Sequence, residues 1–304
     1  MSARWDAIVV GAGHNGLVTA AYLARAGWRV LVLERRGVVG GVCVTEPVFP
    51  GYRVSTAAYL VSLLQEKVVR DLELRRYGYH VFPKEPAYFA PFPDGRHLFM
   101  YGDQQHTCAE IAKFSPHDAE RYPAYEAWID GLARFVEPLL LEAPPNLPPG
   151  ELADWAALAR LGRRVLNLPP QAVADLVRMF SGSAREILDR WFESEELKVA
   201  LATDGVIGTN GGPSTPGTAY VLLHHVMGGV GGVRGLWGFV KGGMGAIAQA
   251  LARSAQARGA RIVCGADVRR VTVRDGQAYG VALGDGREFE HEVRRIKYRG
   301  SSGK

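Results

Sequence analysis

Residues 6–34 limit the fold more than any other stretch of this chain. Asp6-Ala7-Ile8-Val9-Val10 is a short apolar run and reads as a buried strand. Gly11-Ala12-Gly13-His14-Asn15-Gly16 follows at once. Leu17 to Ala26 is rich in Ala and Leu and predicts a helix stopped by Gly27. Trp28 to Leu33 is a second apolar strand, closed by Glu34. Strand, GxGxxG, helix, strand and acid in that order form a dinucleotide-binding unit with a parallel sheet. Gly11 allows the tight turn, Gly13 lets the backbone approach a pyrophosphate, and Gly16 lets helix and strand pack closely. The phosphates are expected on free N–H groups at the positive end of the helix. Glu34 is placed to accept hydrogen bonds from a ribose diol. Ala12, His14, Asn15 and Arg35 border these positions and are weaker cofactor candidates. These residues alone do not decide between NAD and FAD.

Arg35-Arg36-Gly37-Val38-Val39-Gly40-Gly41 adds a second glycine pair soon after the acid, and GGVCVTEPVFPGYRVSTAAYLVSLL fills residues 40–64. From about residue 5 to about residue 290 the chain resembles the phytoene desaturase-related FAD-dependent oxidoreductases. These share the glutathione-reductase-type fold of the amine oxidase superfamily. The resemblance implies FAD, with Gly40 and Gly41 carrying a second stretch of backbone past its pyrophosphate. It also implies that Val268, in GARIVCGADVRRV, offers its backbone to the adenine. The expected fold is α/β, a Rossmann-like FAD-binding domain with an inserted mixed sheet-and-helix substrate domain. The expected organisation is residues 1–75 and 241–290 for the FAD domain and 76–240 for the substrate domain.

The implied reaction is hydride transfer from an apolar, polyene- or isoprenoid-like substrate to flavin. The flavin carries that chemistry, so no acid–base pair is demanded and no catalytic residue is assigned. The electron acceptor and the oligomeric state stay open. Two alternatives share the fold: a flavin amine oxidase, and a non-catalytic binder resembling Rab GDP-dissociation inhibitors, which hold a protein and a prenyl chain without flavin. Relatives of the desaturase type continue well past the equivalent of Glu290. The resemblance therefore implies a truncated end, with residues 291–304 an atypical basic tail.

The remaining readings come from the residues themselves. Tyr88–Phe92 and His97–Tyr101 predict a hairpin turned at Asp94-Gly95. Ser115-Pro116 starts a helix whose apolar stripe includes Tyr125, Ile129, Leu132 and Val136. Ser183 and Glu186 form a capping box. The glycine-rich run 227–235 is expected to be a loop whose backbone approaches a neighbour closely. Asp275-Gly276 and Asp285-Gly286 turn an antiparallel meander. His224 and His225 suggest catalysis, but the sequence shows no carboxylate partner for them. Cys43 reads as a small buried apolar residue rather than a flavin anchor.

Charge and composition exclude several classes. The net charge is +5, and residues 292–304 contribute +4 of it, leaving the rest near +1. No clustered basic face for nucleic acid remains. No run of eighteen apolar residues occurs, so no transmembrane helix is expected. An apolar substrate would still favour loose peripheral membrane contact. The 3 cysteines form no CxxC, which argues against a cysteine-based metal site or dithiol and for a reducing, cytoplasmic setting.

Overall fold

The computed structural model of the chain describes residues 4–290. The proposed basic tail, 291–304, lies outside the described residues. The chain divides into two compact units, residues 1–82 with 239–304 and residues 83–238.

Unit 1 begins with β1 (Ala7–Val10), α1 (His14–Arg25) and β2 (Val30–Glu34). A hairpin follows, β3 (Thr45–Phe49) and β4 (Tyr52–Ser55), then α2 (Glu66–Asp71). The chain leaves this unit in β5 (Val81–Pro83). Unit 2 carries the hairpin β6 (Tyr88–Pro91) and β7 (His97–Met100) and seven helices. These are α3 (Gln104–Ile111), α4 (Pro116–Val136), α5 (Leu152–Leu166), α6 (Pro170–Ser181), α7 (Ala184–Trp191), α8 (Glu195–Val206) and α9 (Thr218–Val226). A tight hairpin, β8 (Gly229–Val230) and β9 (Val233–Arg234), closes it. The chain returns to unit 1 in β10 (Gly238–Val240), followed by α10 (Gly245–Ala257) and β11 (Arg261–Cys264). The meander β12 (Val268–Arg274), β13 (Gln277–Leu283) and β14 (Glu288–Glu290) ends the described chain.

The core of unit 1 is a parallel sheet in the order β1-β2-β11. Ala7 pairs with Val30 and Arg261 with Leu31. Every residue of β2 is buried, as a central parallel strand requires. Its side chains alternate between two cores. Val30 and Val32 meet Leu17, Ala20 and Ala24 of α1, while Leu31 and Leu33 meet Val281 and Leu283 of the meander. Alanines on α1 and α10 let those two helices pack closely within the first core. The observed architecture is therefore mixed α/β with a Rossmann-type parallel centre.

Local signals account for most elements of unit 2. Ser115 Oγ accepts from Asp118 N–H at the start of α4, and Pro116 occupies its first turn. Tyr125, Ile129, Leu132 and Val136 are buried along one stripe. Both bonds of the Ser183–Glu186 capping box form. One expectation needs correction. Helix α1 begins at His14, three residues before Leu17, because the glycine loop turns straight into the helix. The run 227–235 is a two-residue-turn hairpin whose backbone does approach closely, since a Cβ on Gly229 would stand 2.6 Å from Val233 O. Gly231 and Gly232 both take positive φ there, which such a turn requires.

Candidate functional site

The glycine loop between β1 and α1 is built against a second glycine segment. Gly11 has φ +97° and donates its N–H to Leu33 O at 2.7 Å. Gly16 lies so close to Gly11 that an added Cβ would stand 2.2 Å from the Gly11 carbonyl oxygen. Gly40 N–H donates to Ala12 O at 2.8 Å, and Gly13 bridges Gly40 in parallel. A Cβ on Gly41 would sit 3.1 Å from Gly13 Cα. The two glycine segments thus form one doubled layer of backbone at the start of α1. Gly13 caps that helix with no side-chain hydrogen bond, and its first turn carries no acidic residue. Among the described residues no anion answers the leading N–H groups, and the glycines leave no Cβ to fill the cradle. The residues present fit the pyrophosphate of a dinucleotide.

Glu34 behaves differently from the simple expectation. Its carboxylate is buried, with 8% of the residue exposed. It accepts Ala12 N–H on Oε2 at 2.7 Å and Arg36 N–H on Oε1 at 2.9 Å. The acid that was expected to face a ribose therefore also holds the glycine loop to the end of β2. Each oxygen keeps a second lone pair for a diol. Ala266 N–H binds Glu34 O and Gly265 N–H binds Arg36 O, which brings the strand end before Val268 to the same place. Val268 itself opens β12 in register with Leu283. His14 is half-buried, with Nδ1 3.7 Å from the sulfur of buried Cys43, whose thiol pKa is raised by burial. Asn15 and Arg35 are exposed. A cavity of 180 Å³, lined in part by Val38, Val44, Thr45 and Ala246, lies in the same unit and is too small for a dinucleotide.

The histidine pair belongs to unit 2. His225 Nδ1 lies 2.9 Å from Val221 O and its ring stacks on Trp237 at 5.4 Å. Asp204, on α8, is the carboxylate the sequence did not reveal. Burial raises its pKa, against the opposing pull of His225 and Lys84. Tyr88 joins this corner, its hydroxyl 2.8 Å from Thr203 Oγ1 and its ring beneath Lys84 Nζ. His224 Nδ1 is buried with no hydrogen-bond partner among the described residues, and burial followed by the charge of His225 lowers its pKa. No local signal links Asp204 to a histidine about twenty positions later. Only the packing of α8 on α9 does.

One acidic cluster resembles a cation site. His117, Asp118 and Glu193 bring ligand atoms within 4.8 Å of one another. Asp118 is already bonded to Glu193 N–H, Ser194 N–H and Ser194 Oγ–H at 2.7–2.9 Å. It locks the α7–α8 connection to the start of α4. No helix among the described residues is long and apolar enough to cross a membrane.

Known proteins place this geometry in a lineage. "Pyridine nucleotide-disulfide oxidoreductase domain-containing protein 2" of Rattus norvegicus is 41% identical over 307 residues, covering 95% of this chain and 52% of the rat protein. A limonene dehydrogenase component of Castellaniella defragrans is 30% identical, covering 91% and 48%. The chain spans about half the length of these relatives. A solved Rab GDI from Plasmodium falciparum shares the fold, with a TM-score of 0.57 and 13% identity over 96% of this chain and 64% of that one. Residues 16–296 match the model of the flavin containing amine oxidoreductases. With that match and the doubled glycine layer ahead of an uncapped helix, the chain belongs to the flavin-containing amine oxidoreductase family, whose cofactor is FAD.

Proposed function

We propose that unit 1 binds FAD along its doubled glycine layer. We further propose that the protein serves an FAD-dependent dehydrogenation of an apolar, polyene- or isoprenoid-like substrate. In this reading residues 1–75 and 241–290 hold the cofactor and 76–240 supply the substrate domain. The observation that carries the reading is the contact of Gly40-Gly41 with Ala12-Gly13 at the open start of α1. The likeness to a relative named for limonene dehydrogenation supports an apolar substrate. When bound, FAD supplies the acceptor for a substrate hydride. The chain's own residues do the binding. Gly13 and Gly41 let the two backbone segments pack against each other, and the first N–H groups of α1 would meet the phosphates. Glu34 holds the loop through Ala12 while presenting its remaining lone pairs to the ribose.

The test is an absorbance spectrum of the purified chain between about 300 and about 550 nm, the range in which oxidised flavin absorbs. Twin flavin bands, with FAD released on denaturation, are expected. A soluble protein that stays colourless with added FAD would overturn the cofactor assignment in favour of a flavin-free binder. If the bands are present, turnover of apolar alkenes against a quinone or O₂ acceptor tests the substrate class separately.

A further inference from the structure

Polar side chains from three segments of unit 2 meet beside Trp237, and the chain leaves them unanswered. His225 is the fixed point, with 6% of its surface exposed. Its Nδ1 lies 2.9 Å from Val221 O. A carbonyl oxygen can only accept, so Nδ1 carries the proton of the neutral ring and Nε2 carries the lone pair. Stacking on Trp237 at 5.4 Å holds the plane of the ring. Among the described residues Nε2 has no hydrogen-bond partner. Lys84 N–H donates to Trp237 O at 2.8 Å, which ties Lys84 to the stacked pair. Its ammonium stands 5.9 Å from the centre of the Tyr88 ring and makes no ion pair among the described residues. Asp204 lies within the fields of both His225 and Lys84, yet it accepts no hydrogen bond among the described residues. The hydroxyls of Tyr88 and Thr203 are joined to each other at 2.8 Å and are not spent on Asp204. His224 Nδ1, next in the chain, is buried and also unpaired.

Polar groups withdrawn from water are ordinarily paired, so a set left open together asks for a partner from outside the chain. The set offers one acceptor, His225 Nε2, and two donors. The donors are the Lys84 ammonium and the Asp204 carboxyl, which burial inclines to keep its proton. A hydroxyl answers both kinds. It gives its hydrogen to Nε2, and its oxygen accepts from Lys84 or Asp204. A carbonyl or a carboxylate brings no hydrogen for Nε2. An ammonium would be repelled by Lys84. A hydrocarbon would bury all three groups with no partner.

We infer that His225, Asp204 and Lys84 form a subsite that binds the hydroxyl group of an apolar alcohol. The inference rests on the reading of residues 76–240 as the substrate domain and deepens it, since it makes the polar end of the substrate an alcohol and not an amine. The experiment is equilibrium dialysis of the purified chain against geraniol, against myrcene, which has the same carbon skeleton without the hydroxyl, and against geranylamine. Farnesol and farnesene repeat the comparison on a longer skeleton. Each alcohol is expected to bind about tenfold or more tightly than its hydrocarbon, and geraniol about tenfold or more tightly than geranylamine. His225→Phe keeps a ring on Trp237 but has no Nε2, and should bring geraniol down to the level of myrcene. Lys84→Met keeps the stem without the charge, and should narrow the gap between geraniol and geranylamine. A merely structural role would weaken all the probes together and leave their ratios unchanged. A thermal melt of each variant checks the fold, and Lys84→Met still reads the subsite if His225→Phe does not fold. Equal binding of alcohol and hydrocarbon, no binding of either alcohol, tightest binding of geranylamine, or parental ratios in the folded variants would each overturn the inference. Dialysis needs no flavin. A colourless protein that prefers the alcohols would overturn the cofactor assignment alone, and a flavin-bearing protein without that preference would overturn this subsite alone.

Discussion

Two helices of unit 1 start in glycine-rich sequence, and they start differently. Helix α10 follows Gly242-Gly243-Met244 and opens with Gly245. Its leading N–H groups are taken by the β3–β4 hairpin, Met244 N–H by Ser55 Oγ at 3.1 Å and Gly245 N–H by Thr45 Oγ1 at 2.9 Å. The glycines there let Thr45 approach, since a Cβ on Gly243 would stand 2.4 Å from Thr45 Oγ1. Helix α1 follows Gly11-Ala12-Gly13, and among the described residues no hydroxyl or carboxylate closes its start. A Cβ on Gly11 or Gly13 would meet no side chain of the described residues within 4 Å. Glycine content is therefore a poor mark of a phosphate site. An N-terminal turn left without an internal acceptor is the better one.

The largest expected effect falls on Gly16. Alanine at a helical glycine ordinarily stabilises. Here the new Cβ would stand 2.2 Å from a backbone oxygen that cannot turn aside. Gly16→Ala should cost about 3 kcal/mol, the upper part of the overpacking range, and abolish FAD binding. Calorimetry and flavin titration read the two losses. A variant that melts like the parent would mean that the loop and α1 are not packed as described.

Glu34→Ala should cost about 2 kcal/mol of stability, because Ala12 N–H is left buried without its acceptor. It should also weaken FAD by about tenfold, a loss of the size expected for hydrogen bonds to a charged group. The double role makes this a sharper test than a ribose contact alone. A lower melting temperature with unchanged FAD affinity would leave Glu34 as a loop anchor only.

Thr45→Val sharpens the comparison from the other side. It keeps the shape but removes the hydroxyl that closes α10, so about 1 kcal/mol of stability should go. FAD affinity should not change. An equal loss of FAD affinity would place the cofactor at α10 as well and break the contrast between the two helix starts.

How much of this the sequence disclosed depends on how far apart the partners lie. The order β1, α1, β2 and the acid was legible because strand period, glycine spacing and helix composition are all local. The capping box at Ser183 and Glu186 was legible for the same reason. The closure of α10 was not, since Thr45 and Gly245 are 200 positions apart and share no motif. The same holds for the second role of Glu34, which depends on how the loop folds back onto β2. The close backbone approach expected of the run 227–235 is met within its own hairpin, Gly229 against Val233, a partner the letters did not name.

The contrast between answered and unanswered polar groups extends to the side chains of unit 2, where its effect is smallest. His225 Nδ1 is paired with Val221 O, whereas Asp204 is half-buried between α8 and its neighbours, with the fields of His225 and Lys84 to favour its charge. Burial prevails and its pKa is raised. A carboxyl raised in the folded state binds its proton more tightly there than in the unfolded chain. Its burial then costs nothing below the ordinary carboxyl range, where both states are protonated. The cost grows as pH climbs from that range through the folded pKa, and is constant above it. Asp204→Asn removes the titration while keeping the shape. Melting curves of parent and variant should therefore coincide near about pH 4 and separate as pH rises toward about 8, with the variant the more stable. Parallel curves would mean that Asp204 keeps its charge in a solvated or paired setting, and the contrast would then hold for the backbone of unit 1 alone.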